Sequence, residues 1–168
     1  AQAQHESRLS ELCLANKSVE YVIAVAGECL GTIHFDASDP FGGIASRTPF
    51  PANDLELPVT TIDHEVSSRG LRGPFLIKFD THGYEIPILQ GASKTLKDTS
   101  VIVMECYNYK ISDECLLFDE MSRHMNTLGF RCIDMADPMF RPHDGTFWQM
   151  DLVFVRQDRA EFDYGKYS

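Results

Sequence analysis

The stretch that decides the fold runs from Leu76 to Leu96 and reads LIKFDTHGYEIPILQGASKTL. It begins with a short apolar segment, passes through an acid and a glycine, and continues as an amphipathic run. Asp80, His82 and Glu85 therefore lie within a few positions of one another, where a buried strand is predicted to give way to a helix. In parallel sheets ligands bind outside the carboxyl ends of the strands, so this junction is a candidate site.

The flanking sequence alternates predicted strands with predicted helices. This order indicates a single α/β domain over residues 1–168 with a mostly parallel sheet, closed by a C-terminal antiparallel hairpin. The apolar runs predict strands at residues 19–27, 31–37, 75–80, 100–107, 131–137 and 147–156. The amphipathic runs predict helices at residues 7–15, 84–98 and 114–130.

Five local features give sharper expectations. Alternation in residues 31–37 predicts an exposed edge strand, and the Pro, Gly and Ser content of residues 38–54 predicts a long loop. Asp63 is available to cap the short helical turn after a strand, and Gly129 is predicted to end the last helix. The polar tail at 157–168 is predicted to be loosely ordered.

Composition excludes several classes of function. The formal net charge is −10 and the isoelectric point is near 4.9, which argues against binding to nucleic acid or to anionic membranes. We see no apolar run near the ~20 residues of a membrane helix and no signal peptide. The five cysteines are odd in number and lack a C-x-x-C pair, so we expect reduced thiols in a cytoplasmic protein and no zinc site.

Two carboxylates stand at the ends of predicted strands. Asp80 follows one strand and Glu105 ends the next along the chain, so we expect them to be neighbours across the sheet. Such a pair can bind a metal ion, orient a hydroxyl, or raise the pKa of one partner. Asp80 is alternatively a helix cap, and Glu85 is alternatively an acid that the helix dipole favours in the first turn.

The remaining candidates are a histidine and two residues after a strand. His82 is either a general base or a solvated turn residue. Tyr107 and Asn108 either line a substrate cleft or pack at the end of their strand. The serine-hydrolase elbow G-x-S-x-G, the P-loop and G-x-G-x-x-G are not found in the sequence.

Four stretches together resemble the C-terminal part of the FkbM-type methyltransferases. They are PVTTIDHEV, the block from Leu76 to Leu96, VIVMECYNY, and the pair LGFRCIDM and WQMDLVFVR. The central block is the most specific, and its characteristic residues are Lys78, Asp80, Gly83, Tyr84, Glu85, Gly91 and Ala92. The resemblance extends from about Asn16 to Arg156, with Asp151 in its usual place.

The resemblance implies a Rossmann-like fold and an S-adenosylmethionine-dependent O-methyltransferase acting on a hydroxyl of a sugar or other small molecule. It implies that Asp80 lies beside the transferred methyl group and orients the acceptor, with His82 as the base. Glu85 and Glu105 would support the pocket, and Tyr107 and Asn108 would contact the substrate. The cofactor would be bound by Asp80 and by three residues nearer the start of the chain: Glu6, Ala26 and Gly27.

One departure from the family pattern leads to further expectations. The family's glycine-rich loop, first strand and first helix should precede the stretches seen here. Without them, a gap is expected between the strand at 19–27 and the strand at 75–80, and unpaired edges favour a homo-oligomer. We also expect this chain alone to bind the cofactor weakly or not at all.

Two other classes of function stay open at this stage. Asp80, Glu85 and Glu105 with His82 form an oxygen-rich set that suits Mg²⁺ or Mn²⁺, which would make the protein a metal-assisted enzyme. Alternatively, the chain is a non-catalytic module that serves in assembly.

Overall fold

The computed structural model describes residues 1–40 and 42–167. These described residues form four α-helices: α1 (Glu6–Ala15), α2 (Ile62–Ser68), α3 (Glu85–Gln90) and α4 (Phe118–Thr127). Eight strands accompany them: β1 (Val25–Ala26), β2 (Gly31–Asp36), β3 (Ile44–Ser46), β4 (Asp54–Thr60), β5 (Phe75–Phe79), β6 (Thr99–Tyr107), β7 (Phe130–Phe140) and β8 (Phe147–Arg156). Among the described residues, no helix combines the length and apolar character needed to cross a membrane.

The strands form two four-stranded sheets. The first has the order β1-β4-β2-β3 and the second the order β5-β6-β8-β7. Within the described residues, β1–β4 and β5–β6 pair in parallel and the other pairs are antiparallel. The predicted α/β class is confirmed. The prediction of a mostly parallel sheet is wrong, and the two mixed sheets do not clearly show a Rossmann-like arrangement. Short connections, such as those between β2 and β3, favour antiparallel neighbours because parallel pairs need long crossovers.

The second sheet supports the candidate site. Strands β5 and β6 run in parallel, and the predicted closing hairpin is confirmed as β7 and β8. One face of β6 is fully covered, with Ile102 and Met104 at 0% exposure. Met121 and Met125 of α4 belong to the same core. The carboxyl ends of β5 and β6 therefore project from a rigid, well-packed base.

The first sheet differs from prediction at three places. The predicted strand at 19–27 reduces to β1, the two residues that pair with β4. The predicted loop at 38–54 contains β3, and β3 pairs with β2. Strand β2 therefore lies between β3 and β4 and is not an edge strand. Phe41, in the same predicted loop, lies outside the described residues.

The predicted helix at 84–98 is shorter than expected. Helix α3 ends at Gln90, and a 3-10 turn at Thr95–Asp98 follows. A Cβ atom on Gly91 would lie 2.0 Å from the carbonyl oxygen of Gly27, so the chain turns where it meets the first sheet. The residue after α3 thus packs against backbone that follows β1, with no space for a side chain.

The sequence suggested that Asp63 caps its own helix, but this prediction is wrong. The Thr61 hydroxyl accepts the His64 N–H at 3.0 Å and caps α2. Asp63 instead accepts backbone N–H groups of Lys94 and Thr95 at 2.9 and 2.8 Å. It therefore joins α2 to the turn after α3.

The end of α4 and the cysteines agree with expectation, and the tail is partly structured. Gly129 has a φ of +84° directly after the helix, a conformation that favours glycine. All five cysteines are free. In the tail, Ala160–Phe162 forms a 3-10 turn, and the Arg131 guanidinium lies 4.3 Å from the centre of the Phe162 ring.

Candidate active site

A cleft of about 300 Å³ lies at the carboxyl end of β5, where the first sheet approaches the second. The turn between β5 and α3 lines one wall with Asp80, Thr81, His82 and Tyr84. The first sheet and the start of the chain line the rest, mainly with small or apolar residues: Gln2, His5, Ala24, Val25, Ala26, Phe35 and Ala45. The cleft thus brings together the predicted Asp80, His82 and Ala26.

Asp80 is the most accessible acid of the turn. Its side chain is 81% exposed, and the Lys78 Nζ donates to its Oδ1 at 2.9 Å. Lys78 also reaches the Oδ1 of Asp151 at 3.3 Å. Burial alone would lower the pKa of Lys78, but its bonds and charge interactions with the two acids raise it. Lys78 thus pairs with both Asp80 and Asp151 at this end of the sheet.

Glu105 lies beside Asp80 at the sheet end but not in the cleft. Met104 pairs with Phe79, so Asp80 and Glu105 follow at adjacent positions. Glu105 also stands opposite Asp151 of β8 and is hydrogen-bonded to Tyr107. The predicted proximity to Asp80 is confirmed, whereas the residues that line the cleft do not include Glu105.

Glu85 is buried beneath the turn. Its residue exposure is 2%, and its Oε1 accepts the Gly83 N–H and the Thr81 hydroxyl, each at 2.9 Å. Burial raises the pKa of Glu85, although these hydrogen bonds oppose the shift. Glu85 therefore faces the protein interior and makes contact with the turn that carries Asp80 and His82.

The predicted cofactor residues take different places. Ala26 lines the cleft, whereas the buried Gly27 donates its N–H to the Thr60 carbonyl at 2.9 Å and packs against Gly91. Glu6 is exposed at the start of α1 and is not among the lining residues. The adjacent His5 lines the cleft instead, a role that the sequence did not suggest.

The predicted substrate residues make structural contacts. Tyr107 is 3% exposed, and burial raises the pKa of its hydroxyl. The Asn108 side-chain amide donates to the Phe147 carbonyl at 3.1 Å. Tyr109, the next residue, stacks on Trp148 with ring centres 5.2 Å apart. These residues join the end of β6 to the closing hairpin, and their contact with substrate stays a prediction.

An arginine that the sequence analysis did not single out joins the first sheet to the loop between β6 and α4. Arg47 donates to both carboxylate oxygens of Glu28 at 2.8 and 3.0 Å, and to Glu114 at 3.1 Å. The hydrogen bond with Arg47 lowers the pKa of Glu28. No local spacing signals this contact, because its partners are 19 and 67 positions from Arg47 along the chain.

Comparison with known proteins decides the family. The family model described as the methyltransferase FkbM domain matches residues 2–132. This chain belongs to the FkbM methyltransferase family. Comparison with curated proteins and with solved structures gave no match. The family implies the use of S-adenosylmethionine, so the cleft of this methyltransferase domain can be compared with that cofactor.

The cleft of the FkbM domain suits part of the cofactor. Ala24, Ala26 and Ala45 line the cleft together with the aromatic residues Phe35 and Tyr84, and such small and aromatic side chains suit contact with a planar group such as adenine. Asp80 offers a carboxylate at the rim for hydroxyl or cationic groups. A volume of about 300 Å³ is at the small end of ligand sites. The described residues therefore form a small cleft with aromatic and small side chains and one carboxylate, a lining that suits a nucleoside-containing cofactor.

The geometry gives the metal-assisted alternative no support. Within residues 1–40 and 42–167, no group of three or more His, Cys, Asp and Glu side chains is arranged to hold a metal ion. Glu85 is directed into the turn, and Asp80 pairs with a lysine. Glu85 and Asp80 are thus engaged in hydrogen bonds and an ion pair, respectively.

Proposed function

We propose that this domain catalyses transfer of a methyl group from S-adenosylmethionine to a hydroxyl of a sugar or another small molecule. The observation that carries the proposal is the shared cleft: Asp80 and His82 line it together with Ala26. An accessible carboxylate and an imidazole beside a small apolar cavity suit a polar acceptor next to a bound nucleoside.

Each residue of the turn has a separate role in the proposed reaction. When bound, S-adenosylmethionine supplies the methyl group. Asp80 accepts a hydrogen bond from a second polar hydrogen of the acceptor, beside the reacting hydroxyl, and so aligns the attacking oxygen, because methyl transfer requires an in-line approach. Lys78 holds the Asp80 carboxylate at 2.9 Å and restricts its orientation. His82 removes the hydroxyl proton as general base.

The charge of the chain favours a small acceptor over a polymer of phosphates. With a net charge of −10, the protein repels nucleic acid and anionic membranes. The five free cysteines accord with a reducing compartment, and we place the reaction in the cytoplasm.

The test is a methyl-transfer assay that compares the unmodified protein with variants at Asp80 and His82. Formation of S-adenosylhomocysteine is measured with excess S-adenosylmethionine and a panel of monosaccharides and small alcohols. We expect His82→Ala to reduce kcat by about 10²-fold or more, as for loss of a general base. We expect Asp80→Asn to reduce kcat/KM for the acceptor, because it loses the charged hydrogen-bond acceptor.

Matched controls lie away from the cleft. Asp158→Asn removes an exposed acid whose closest cation, Arg156, is 3.8 Å away, and His143→Ala removes an exposed histidine of the hairpin turn. Both controls should retain wild-type rates. An unchanged rate in His82→Ala would remove His82 from the mechanism, and the absence of transfer to any hydroxyl acceptor would refute the proposed reaction.

A further inference from the structure

The turn that carries Asp80 and His82 is held from two sides at one glycine. From below, the Glu85 Oε1 accepts the Gly83 N–H and the Thr81 hydroxyl, each at 2.9 Å. From above, the Ser112 hydroxyl donates to the Gly83 carbonyl at 2.7 Å. Both polar groups of the Gly83 residue are therefore bonded to side chains outside the turn's own backbone.

Gly83 is suited to this double attachment. Its φ is +79°, which favours glycine, and a Cβ atom there would lie 2.5 Å from the Ser112 hydroxyl oxygen. The same Cβ would lie 3.2 Å from atoms of Ile111 and Cys115. The loop between β6 and α4 thus packs directly on the turn, so the turn has little room to move.

Glu85 makes its hydrogen bonds within this turn. Besides Gly83 and Thr81, its own backbone N–H stabilises the carboxylate. Burial of the carboxylate raises the pKa of Glu85, so the acid is held against a desolvation cost. A buried acid that engages several donors of one turn restricts the conformation of that turn.

We propose that Glu85 is a positioning residue that, with Ser112, fixes the turn so that Asp80 and His82 keep their orientation toward the cleft. Glu85 itself does not contact the substrate, because it is buried below the turn. The effect on catalysis rests on the proposed function, whereas the effect on the turn rests on the hydrogen bonds alone.

The experiment measures amide hydrogen exchange at Gly83 together with turnover. Wild type is compared with Glu85→Ala, Glu85→Gln and Ser112→Ala, each at the same interval below its own melting temperature. Asp63→Asn is the matched control, since Asp63 also accepts backbone N–H groups but at a different turn. Glutamine retains an acceptor oxygen for Gly83 and Thr81, so it tests hydrogen bonding separately from charge.

We expect Gly83 to exchange at least tenfold faster in Glu85→Ala, and less so in Ser112→Ala, which retains the Glu85 bond. Glu85→Gln should restore the wild-type exchange rate, and Asp63→Asn should leave Gly83 unchanged. In the transfer assay, Glu85→Ala should lower kcat at least tenfold while changing KM for the cofactor little, with recovery in Glu85→Gln.

Two results would overturn the inference. One is wild-type exchange at Gly83 in Glu85→Ala, which would mean that the carboxylate does not fix the turn. The other is a wild-type kcat in Glu85→Ala when the unmodified protein is active. If the unmodified protein transfers no methyl group, the proposed function fails, and the exchange rate still decides whether Glu85 fixes the turn.

Discussion

The Asp63 side chain lies in α2 but makes its hydrogen bonds to residues that follow α3. Its two carboxylate oxygens accept the backbone N–H groups of Lys94 and Thr95 and the hydroxyls of Thr95 and Ser93. Burial raises the pKa of Asp63, but these hydrogen bonds outweigh it, so the net pKa is below the ordinary value. The folded protein therefore prefers the ionised form.

We predict that Asp63→Asn lowers the free energy of unfolding by about 1–3 kcal/mol at neutral pH, because a bonded acceptor is lost. The folded pKa is below the unfolded value of about 3.9, so the stabilisation is complete above that pH. It is lost as pH falls through the folded pKa. Denaturant unfolding of both proteins at neutral pH and about pH 3 measures the difference.

The difference between wild type and Asp63→Asn should shrink in acid. Asp158→Asn is the control, since its exposed side chain should change stability by less than about 0.5 kcal/mol. An equal difference at both pH values would show that the Asp63 charge contributes nothing to stability.

The packing of α3 on the first sheet depends on the absence of a side chain. A Cβ atom at Gly91 would lie 2.0 Å from the Gly27 carbonyl oxygen and 3.1 Å from the Thr61 Cβ. The Gly91 carbonyl also accepts the Asp63 N–H at 2.9 Å. The end of α3 therefore approaches the backbone at Gly27 so closely that only glycine fits at position 91.

We predict that Gly91→Ala lowers the free energy of unfolding by about 1–3 kcal/mol, because backbone atoms must shift to admit the methyl group. The helical propensity of alanine cannot compensate for that clash. The control is Gly31→Ala in β2, where a Cβ would meet no atom within 4 Å. Thermal unfolding should separate the two variants, and equal melting temperatures would contradict the close contact.

Local patterns predict the elements better than their arrangement. The apolar runs correctly predicted β5, β6 and the closing hairpin, and in β6 and β8 the pattern records the burial of the strand's own residues. The residue that follows α3, Gly91, packs against Gly27, which lies 64 positions earlier in the chain. The pairing of β2 with β3 likewise depends on partners outside any local window.

At the scale of the whole molecule, the candidate site was partly predictable. Asp80 and His82 share a turn, so their proximity followed from the chain itself, and Ala26 joins them across the cleft. The contribution of Lys78 and the burial of Glu85 depend on side-chain directions that a sequence does not reveal. The link from Arg47 to Glu28 and Glu114 depends on how the first sheet meets the loop between β6 and α4.

The cleft as a whole sets a limit on cofactor affinity. Its volume of about 300 Å³ is at the small end of ligand sites, and Asp80 is the one acid among its described lining residues. The Glu28 carboxylate is engaged by Arg47, and Glu6 does not line the cleft. Few directed polar contacts are thus available to offset the entropy lost on binding.

We therefore predict that this chain binds S-adenosylhomocysteine with a dissociation constant above about 1 μM. The favourable standard free energy of binding is then smaller than about 8.2 kcal/mol. Calorimetric titration measures the affinity directly. The matched variant is Asp80→Asn, which should weaken any remaining affinity, whereas Asp158→Asn, remote from the cleft, should not. Submicromolar binding that Asp80→Asn leaves unchanged would mean that the cofactor occupies a different surface and that this cleft belongs to the acceptor alone.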